Sequence, residues 1–546
     1  MTTTGGSYVS AAPGTVTAIA DQLVQDLAAV EPDAAAAMGA EPESIMPALA
    51  PEDFAARRAA HDRAATALAH AVVQPGEEVL TAALAERLES EISLDEAGFT
   101  RSLLAPLATP VHAVRAVFDH LPRGTDADWD RIAAHLDRVP RALADYAATL
   151  RESDHVVARR QVLGAAAQCE TWIGPDAYYH RLAAARPGLE TAADNATRAT
   201  AGFARFLREE LAPRARERDG VGRELYSVTA RAFLGDDVDL DETYEFGWHE
   251  LTRITEEMQA VATEIGASSI EEAAAALDAD PAQTLTGHDA LLHWLDRRVA
   301  ETAEATDGVF FDLPAQARRP ECRISDASAG VMYYSAPDPG FTRPGRVVWS
   351  PAKSTHIWRD VTTVHHESIP GHHLQIATAL AEPGLHPWQR ALANVHGYAE
   401  GWAHYAEWLC AELGLLRTPG EHLGMLYGQR WRAARIVLDL GLHLDLPIPP
   451  GQLGDADRWT PDLAVAVLRA ASGMPEKPAR FEVERYFGWP AQALSFRIGA
   501  RLWQEIRTTA ERRPGITVRE FHREALRLGP LGLRPLRETL LARNLR

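Results

Sequence analysis

The sequence predicts a mainly α-helical protein with a small β-sheet beside the helix that carries its densest cluster of histidines. Long stretches rich in Ala, Leu and Arg repeat their apolar residues with helical spacing. Short β-branched and aromatic stretches, bounded by Pro and Gly, occur within residues 309–349. The hydrophobic content of 46% in a chain of 546 residues is sufficient for a large core.

Helical periodicity begins close to the start of the chain. The apolar positions of residues 15–30 share one face of a predicted helix. Pro140 is expected to break a longer helical stretch, because proline removes a backbone donor. The same pattern predicts further helices over residues 51–73, 78–92, 103–121, 129–150, 153–167, 189–211, 240–265, 270–277, 288–302, 388–413, 461–472, 480–487, 490–510 and 518–546.

Three short stretches are predicted as strands of the small sheet. They are Val309–Phe311, Val331–Tyr334 and Arg346–Trp349, and the last precedes a helix that we start near Thr355. An edge strand in this place could pair with an extended peptide through main-chain hydrogen bonds. A purely structural hairpin is an equally good interpretation.

Composition restricts the classes of partner. The net charge of −21, from 55 basic and 76 acidic residues, disfavours binding to nucleic acid or to anionic membranes. The three cysteines lie far apart, which indicates neither a disulfide framework nor a thiolate metal site. With no apolar run of about 18 residues and no signal-peptide pattern in the sequence, we expect a soluble cytoplasmic protein. The oligomeric state stays open.

The chain is predicted to have two helical parts. Residues 1–13 are small and polar and are expected to form a flexible tail. Residues 14–220 form an N-terminal helical region, and residues 221–546 form a metal-binding, catalytic region. We expect the two to pack as one bilobal unit around a cleft.

The cluster that organises the chain is the stretch 365–375, which contains four histidines and one glutamate. His366 and Glu367 resemble the opening of the zinc-peptidase pattern H-E-x-x-H, but the next candidate ligand, His372, comes six residues later. Pro370 and Gly371 lie between the two histidines. We expect the helix to be interrupted there, so that His372 turns back toward His366. His373 is an alternative ligand, although its helical rise from His366 disfavours it.

A catalytic zinc site needs a third protein ligand. Glu400 on the next predicted helix is the best candidate, and His396, His404 and Glu407 share its helical face. Any of these three residues could be the ligand, or could orient the ligand by a hydrogen bond to it. His365 and His356 are interpreted as packing or surface residues.

Three pieces of the sequence carry a resemblance. They are His-Glu-Ser-Ile-Pro-Gly-His-His-Leu-Gln (366–375), Glu-Gly-Trp-Ala-His-Tyr-Ala-Glu (400–407) and the stretch 482–499, with a weaker match at 170–180. They are similar to a bacterial family of unknown function, domain-of-unknown-function family 885. The resemblance implies a relationship to gluzincin metallopeptidases of the thimet-oligopeptidase and carboxypeptidase-Taq kind.

The resemblance implies a multi-helix gluzincin-like fold with a deep cleft. It favours His366, His372 and Glu400 as the metal ligands. One position departs from the family pattern: Phe496 stands where a tyrosine is usual, so a hydroxyl that could stabilise an oxyanion is missing. Tyr486 is our candidate for that role.

Tyr398 and Arg485 are the alternatives to Tyr486 in that role. We interpret His373, Arg485 and Gln492 as substrate contacts. For Tyr486 and Gln492, packing on a helix surface is an equally good interpretation. Arg430, Arg432 and Arg435 could bind a substrate carboxylate, but ion pairs are preferred for most of the arginines in this region.

The predicted activity follows from these assignments. Zn²⁺, or another divalent transition metal, would lower the pKa of its bound water toward about 7, and Glu367 would act as general base. The expected protein is a zinc-dependent hydrolase that cleaves amide bonds of short peptides. The alternatives are a metalloenzyme recruited to small-molecule metabolism, acting on a non-peptide amide or amino-acid derivative, and a binding protein without metal chemistry.

Overall fold

Helices make up most of the structure, a computed structural model that describes residues 14–38, 44–174, 177–325, 332–351 and 353–542. This confirms the prediction of a mainly α-helical protein with a small sheet. The helices that precede the sheet are α1 Val16–Ala28, α2 Pro32–Ala37, α3 Pro51–Ala69, α4 Glu78–Glu96, α5 Pro110–His120, α6 Asp126–Glu152, α7 Arg159–Trp172, α8 Tyr178–Ala183, α9 Glu190–Phe206, α10 Arg223–Leu234, α11 Leu240–Ile265, α12 Ile270–Ala279 and α13 His288–Thr306.

The second series of helices carries the histidine cluster. It consists of α14 Ile357–Glu367, α15 His372–Ala381, α16 Pro387–Ala391, α17 His396–Glu412, α18 Pro419–Leu444, α19 Pro461–Ser472, α20 Glu476–Gly488, α21 Ser495–Glu511, α22 Val518–Arg527 and α23 Leu533–Ala542.

Local capping explains why some helix bounds were predicted correctly. The Asp239 side chain accepts hydrogen bonds from the first turn of α11, and Gly266, with φ +95°, ends that helix. Thr460 caps α19 in the same way, and Gly473 ends it with φ +72°. Both helices therefore begin and end at the predicted residues.

Two expectations about helix breaks were wrong. Pro140 lies inside the continuous helix α6, where Leu136, Val139 and Leu143 are buried. Their burial outweighs the one backbone donor that proline removes. Conversely, the helix predicted over residues 388–413 is divided into α16 and α17.

Among the described residues, five short strands form two small sheets. They are β1 Thr284–Thr286, β2 Glu321–Ile324, β3 Tyr333–Ser335, β4 Arg346–Trp349 and β5 Ser354–His356. Strand β4 is central in a three-stranded sheet, parallel to β2 and antiparallel to β3. Strands β1 and β5 pair antiparallel, and α14 follows β5 directly.

The strand predictions were right in part. The strand at 346–349 is confirmed, and the stretch 331–334 overlaps β3, although Val331 lies outside the described residues. The predicted strand 309–311 is wrong, because a turn forms there: Gly308 has φ +73° and its N–H donates to the carbonyl of Phe311.

Two large apolar clusters divide the helices. One contains side chains from α5 to α9, together with Phe54 of α3. The other joins α1 and α4 to the helices around the histidine cluster. The predicted division at residue 220 therefore stays a prediction, since helices before it contribute to both clusters. The predicted tail, residues 1–13, lies outside the described residues.

A contact between two glycines places α21 against α17. A Cβ at Gly401 would overlap the backbone of Gly499, and a Cβ at Gly499 would overlap that of Gly401. The close approach brings Phe496, near the start of α21, to the side of α17 that carries Glu400. Helices α14, α15, α17, α18 and α21 thus meet around the histidine cluster.

Candidate metal centre

The histidine helix is interrupted where the sequence predicts it. Helix α14 ends at Glu367 and α15 begins at His372, with Pro370 and Gly371 among the four residues between them. The indole nitrogen of Trp402 donates a hydrogen bond to the carbonyl oxygen of Pro370 across 2.9 Å. This bond ties the interruption to α17, the helix that carries the third predicted ligand.

The interruption brings the three predicted ligands together. The Nε2 atoms of His366 and His372 lie 3.3 Å and 3.6 Å from Oε2 of Glu400. The candidate ligand atoms of the three residues all lie within 4.8 Å of one another. Ligands bonded to zinc at 2.0–2.1 Å in a tetrahedron are separated by roughly 3.3 Å. The observed spacing therefore fits shared coordination of one cation, and these residues would hold it.

The charges of the triad favour a cation. Burial acts against ionisation of Glu400, but hydrogen bonds with His366 and His372 hold the pKa of this carboxyl well below its usual range. Burial likewise lowers the pKa of His366, but Glu400 and Glu407 outweigh it and raise that pKa to about 10. Ionised carboxylates beside two imidazoles stabilise positive charge, which a divalent metal provides.

Glu407 orients the first histidine. Nδ1–H of His366 donates to Oε1 of Glu407 across 2.7 Å, and the Thr362 hydroxyl donates to Oε2 across 2.9 Å. Because Glu407 holds the proton on Nδ1, Nε2 is the nitrogen that would give up its proton to bind a metal, and it faces Glu400. Glu407, considered as a rival ligand from the sequence, thus lies behind His366. His404 also contacts Glu407, across 3.4 Å.

Replacement of Glu407 is expected to weaken metal binding. In the Glu407→Gln variant an uncharged amide faces His366, so the ligand becomes less basic and less firmly oriented. We expect the apparent Kd for zinc, measured by competition with a chromogenic chelator, to rise about 10- to 100-fold. Glu412→Gln on the same helix, where the carboxylate pairs with Arg507, is the control and should bind zinc like the wild type. Equal affinities of all three proteins would contradict the orienting role.

Glu367 directly follows the first ligand and is 8% exposed. Burial raises the pKa of its carboxyl, and the charges of His366 and His372 act in the opposite direction. Within the described part of the chain, its carboxylate has no ion-pair partner. A carboxylate in this setting accepts a proton more readily than one in water, as a general base requires.

His373 is held away from the triad. Its Nε2–H donates to the carbonyl of Ala317 across 2.7 Å, so Nδ1 accepts the hydrogen bond from the Tyr334 hydroxyl at 2.9 Å. Burial lowers its pKa to about 4, which keeps the ring neutral. The ring links α15 to the three-stranded sheet. Its assignment as a substrate contact stays a prediction.

The other predicted site residues form a second cluster around Glu482. Arg485 donates to both oxygens of Glu482, at 3.0 Å and 2.7 Å, and to the side-chain oxygen of Gln492 at 2.8 Å. The Tyr486 hydroxyl donates to Glu482 across 3.1 Å. Gln492 in turn contacts His396, one turn before Glu400.

Sequence reasoning missed Glu482, although its spacing of three residues from Arg485 on a helix is the signal for such a pair. Burial acts to raise the pKa of Glu482, but the Arg485 guanidinium outweighs it and lowers that pKa to about 2. The assignments of Tyr486, Arg485 and Gln492 to catalysis and substrate binding stay predictions.

The comparisons identify the family. A family model described as bacterial protein of unknown function (DUF885) matches residues 32–540. The chain belongs to this family. A comparison with curated proteins found no match.

Solved structures show the same fold as this DUF885 protein. A candidate lipoprotein from Colwellia psychrerythraea is 19% identical, with a TM-score of 0.80 over 97% of this chain and 99% of that chain. A candidate lipoprotein of unknown function from Shewanella oneidensis is 15% identical, with a TM-score of 0.74 over 97% of this chain and 100% of that chain. In the part of the DUF885 chain that the structure describes, no helix is long and apolar enough to cross a membrane. The cytoplasmic location stays a prediction.

Phe496 lies beside the triad of the DUF885 protein. Its ring stacks on that of His366, with the ring centroids 6.1 Å apart and an interplanar angle of 15°. The guanidinium of Arg435 lies 4.1 Å from the centroid of the same phenyl ring. A tyrosine here would place a hydroxyl close to the ligands, so phenylalanine makes this wall of the site apolar.

The ion pairs expected for most of the nearby arginines are not what the structure shows. Arg485 pairs with Glu482, but Arg430 donates to the backbone carbonyls of residues 470 and 471, and Arg435 donates to Gln492. Arg432 makes no hydrogen bond or ion pair with any residue that the structure describes. The partners of these side chains depend on helices distant in sequence, which the periodicity of α18 does not reveal.

Proposed function

We propose that this DUF885 protein is a metal-dependent hydrolase that cleaves amide bonds of short peptides. The observation that carries the proposal is that the candidate ligand atoms of His366, His372 and Glu400 lie within 4.8 Å of one another, with Glu367 directly after the first of these residues. Two imidazoles and one carboxylate are a ligand set of catalytic zinc. The interrupted helix and a glutamate from a following helix also support a gluzincin-like arrangement.

In the proposed reaction the bound cation and the side chains have separate roles. A bound divalent cation supplies Lewis-acid chemistry, which acidifies water and polarises an amide carbonyl. Glu367 takes the proton from the attacking water and delivers it to the leaving nitrogen, so that the C–N bond breaks to give a carboxylate and an amine. Glu407 holds His366 in the tautomer that ligation needs.

A second candidate function has one observation in its favour. Phe496 places an apolar ring where the resemblance leads us to expect a hydroxyl, so the wall beside His366 is apolar. A site altered in this way suits a non-peptide amide or amino-acid derivative in small-molecule metabolism. The residues that hold the metal and move the proton would be the same.

Metal analysis and peptide digestion test the proposal together. We expect about one equivalent of zinc or another divalent metal in the purified protein, and cleavage of members of a short-peptide library by the metal-loaded form. Chelation should abolish cleavage, and added zinc should restore it. Bound metal with no peptide cleaved would favour the small-molecule alternative, and a protein that binds no divalent metal would refute both.

A further inference from the structure

Arg432 on α18 differs from every other arginine near the triad. Its guanidinium carbon lies 3.8 Å from the ring centroid of Trp431 and 5.1 Å from that of Phe496. Its Nε is buried and has no hydrogen-bond partner in the part of the chain that the structure describes. Among the residues that the structure describes, none accepts a hydrogen bond from this guanidinium. A buried donor without an acceptor is costly, which marks the place where an anionic ligand would be stabilised.

The neighbouring arginines, unlike Arg432, donate hydrogen bonds to other groups of the protein. Arg430, two residues earlier, donates to two backbone carbonyls across 2.9 Å and 3.0 Å. Arg485 is paired with Glu482 by two hydrogen bonds, and Arg435 donates to Gln492. Each of these three guanidinium groups therefore makes at least one hydrogen bond within the protein, although Nε of Arg435 has no partner among the described residues. The guanidinium of Arg432 makes none with any described residue, so all of its donors can bind a ligand.

The position of Arg432 relates it to the reacting centre. The same phenyl ring of Phe496 is contacted by the imidazole of His366 and by the guanidinium of Arg432. Two aromatic faces hold the planar guanidinium, which reduces the entropy lost when it binds a planar anion.

We infer that Arg432 binds the free carboxylate of the substrate, so that the enzyme acts on amides of amino acids whose α-carboxylate is free. Such substrates are N-acyl amino acids and the C-terminal peptide bond of short peptides. This inference rests on the proposed function and names its substrate class. In these compounds only three bonds separate the scissile carbonyl carbon from the carboxylate carbon. This short separation suits a guanidinium that contacts the same phenyl ring, that of Phe496, as the candidate metal ligand His366. Hydrolysis adds the hydroxyl of water to the acyl carbon and a proton to the nitrogen, and it releases the free amino acid.

Binding, rather than turnover, tests this inference directly. The probes are a panel of N-acetyl amino acids and the same compounds as C-terminal amides, titrated calorimetrically into the zinc-loaded protein and into the metal-free protein. We expect at least one carboxylate to bind the wild type about tenfold or more tightly than its amide, because a guanidinium–carboxylate pair adds charge-assisted hydrogen bonds. Arg432→Gln should lose this discrimination, and Arg432→Lys should retain part of it.

Arg430→Gln is the matched control, since it removes a guanidinium on the same helix that is committed to backbone carbonyls. It should discriminate between carboxylate and amide like the wild type. Circular dichroism and thermal melting establish whether each variant is folded. If Arg432→Gln does not fold, Arg432→Lys still tests the inference. Discrimination that survives in folded Arg432→Gln, or a wild type that binds every carboxylate and amide equally, would overturn the inference.

The outcome is separable from that of the proposed function. Suppose that peptides are cleaved in a chelator-sensitive way but that C-terminal amides are cleaved as fast as free carboxylates. The proposed hydrolase activity is then supported, and the proposed role of Arg432 is refuted. If carboxylates bind through Arg432 but no amide is cleaved, the anion-binding role of Arg432 is supported and the proposed hydrolase activity is refuted.

Discussion

Glu367→Gln is expected to lower kcat for amide hydrolysis by about 10²- to 10⁴-fold while metal content and melting temperature stay close to those of the wild type. The amide has the shape of the carboxylate but does not accept a proton. Glu367 lies beside the ligand atoms and has no ion-pair partner in the described part of the chain, so its replacement breaks no structural pair. The measurements are steady-state kinetics on the best library peptide, metal analysis and thermal melting.

A matched variant separates this effect from a general loss of charge near the site. Glu382, just after the end of α15, pairs with Arg527, so Glu382→Gln removes a carboxylate from the same region without touching the triad. Its kcat should equal that of the wild type. Full turnover in Glu367→Gln would place the general base elsewhere. Loss of metal from that variant would make Glu367 part of the ligand set.

Local signals in the sequence were sufficient for the two features on which the proposed chemistry depends. The interruption of the histidine helix follows from proline and glycine, because both act on the backbone of their immediate neighbours. Residue type and one intervening loop made Glu400 the best candidate while His396, His404 and Glu407 stayed open, and the resemblance favoured Glu400. The structure brings Glu400 close to His366 and His372, and its role as a metal ligand stays a prediction. The capped helices α11 and α19 were predictable for the same reason.

Features that depend on distant parts of the chain were not predictable in this way. Strand β5 exists because β1, some seventy residues earlier, pairs with it. Pro140 stays inside a helix because its neighbours are buried against other helices. The partners of the arginines on α18 lie on other helices, so periodicity alone suggested ion pairs. The structure instead has backbone carbonyls, an amide and one guanidinium with no hydrogen-bond or ion-pair partner among the described residues.

Gly371→Ala is expected to disrupt the site by a purely steric route. The chain folds back so tightly that a Cβ here would overlap the carbonyl oxygens of His365 and His366. The N–H of Gly371 also donates to His365 O across 3.0 Å, which fixes its approach. Because backbone atoms do not move aside as a flexible side chain does, we expect a loss of about 3 kcal/mol or more in the free energy of unfolding.

The same change should also separate the two histidine ligands. Relief of the overlap moves α15 relative to α14, so His372 leaves coordination distance and zinc stoichiometry falls well below that of the wild type. Denaturant unfolding and metal analysis measure the two effects. Gly202→Ala in helix α9 is the control, since no atom of the described residues beyond its own helix lies within 4 Å of the added Cβ. It should leave zinc binding intact and stability equal or slightly higher. If Gly371→Ala kept full stability and full zinc content, the tight turn between the helices would not be what brings His372 to His366.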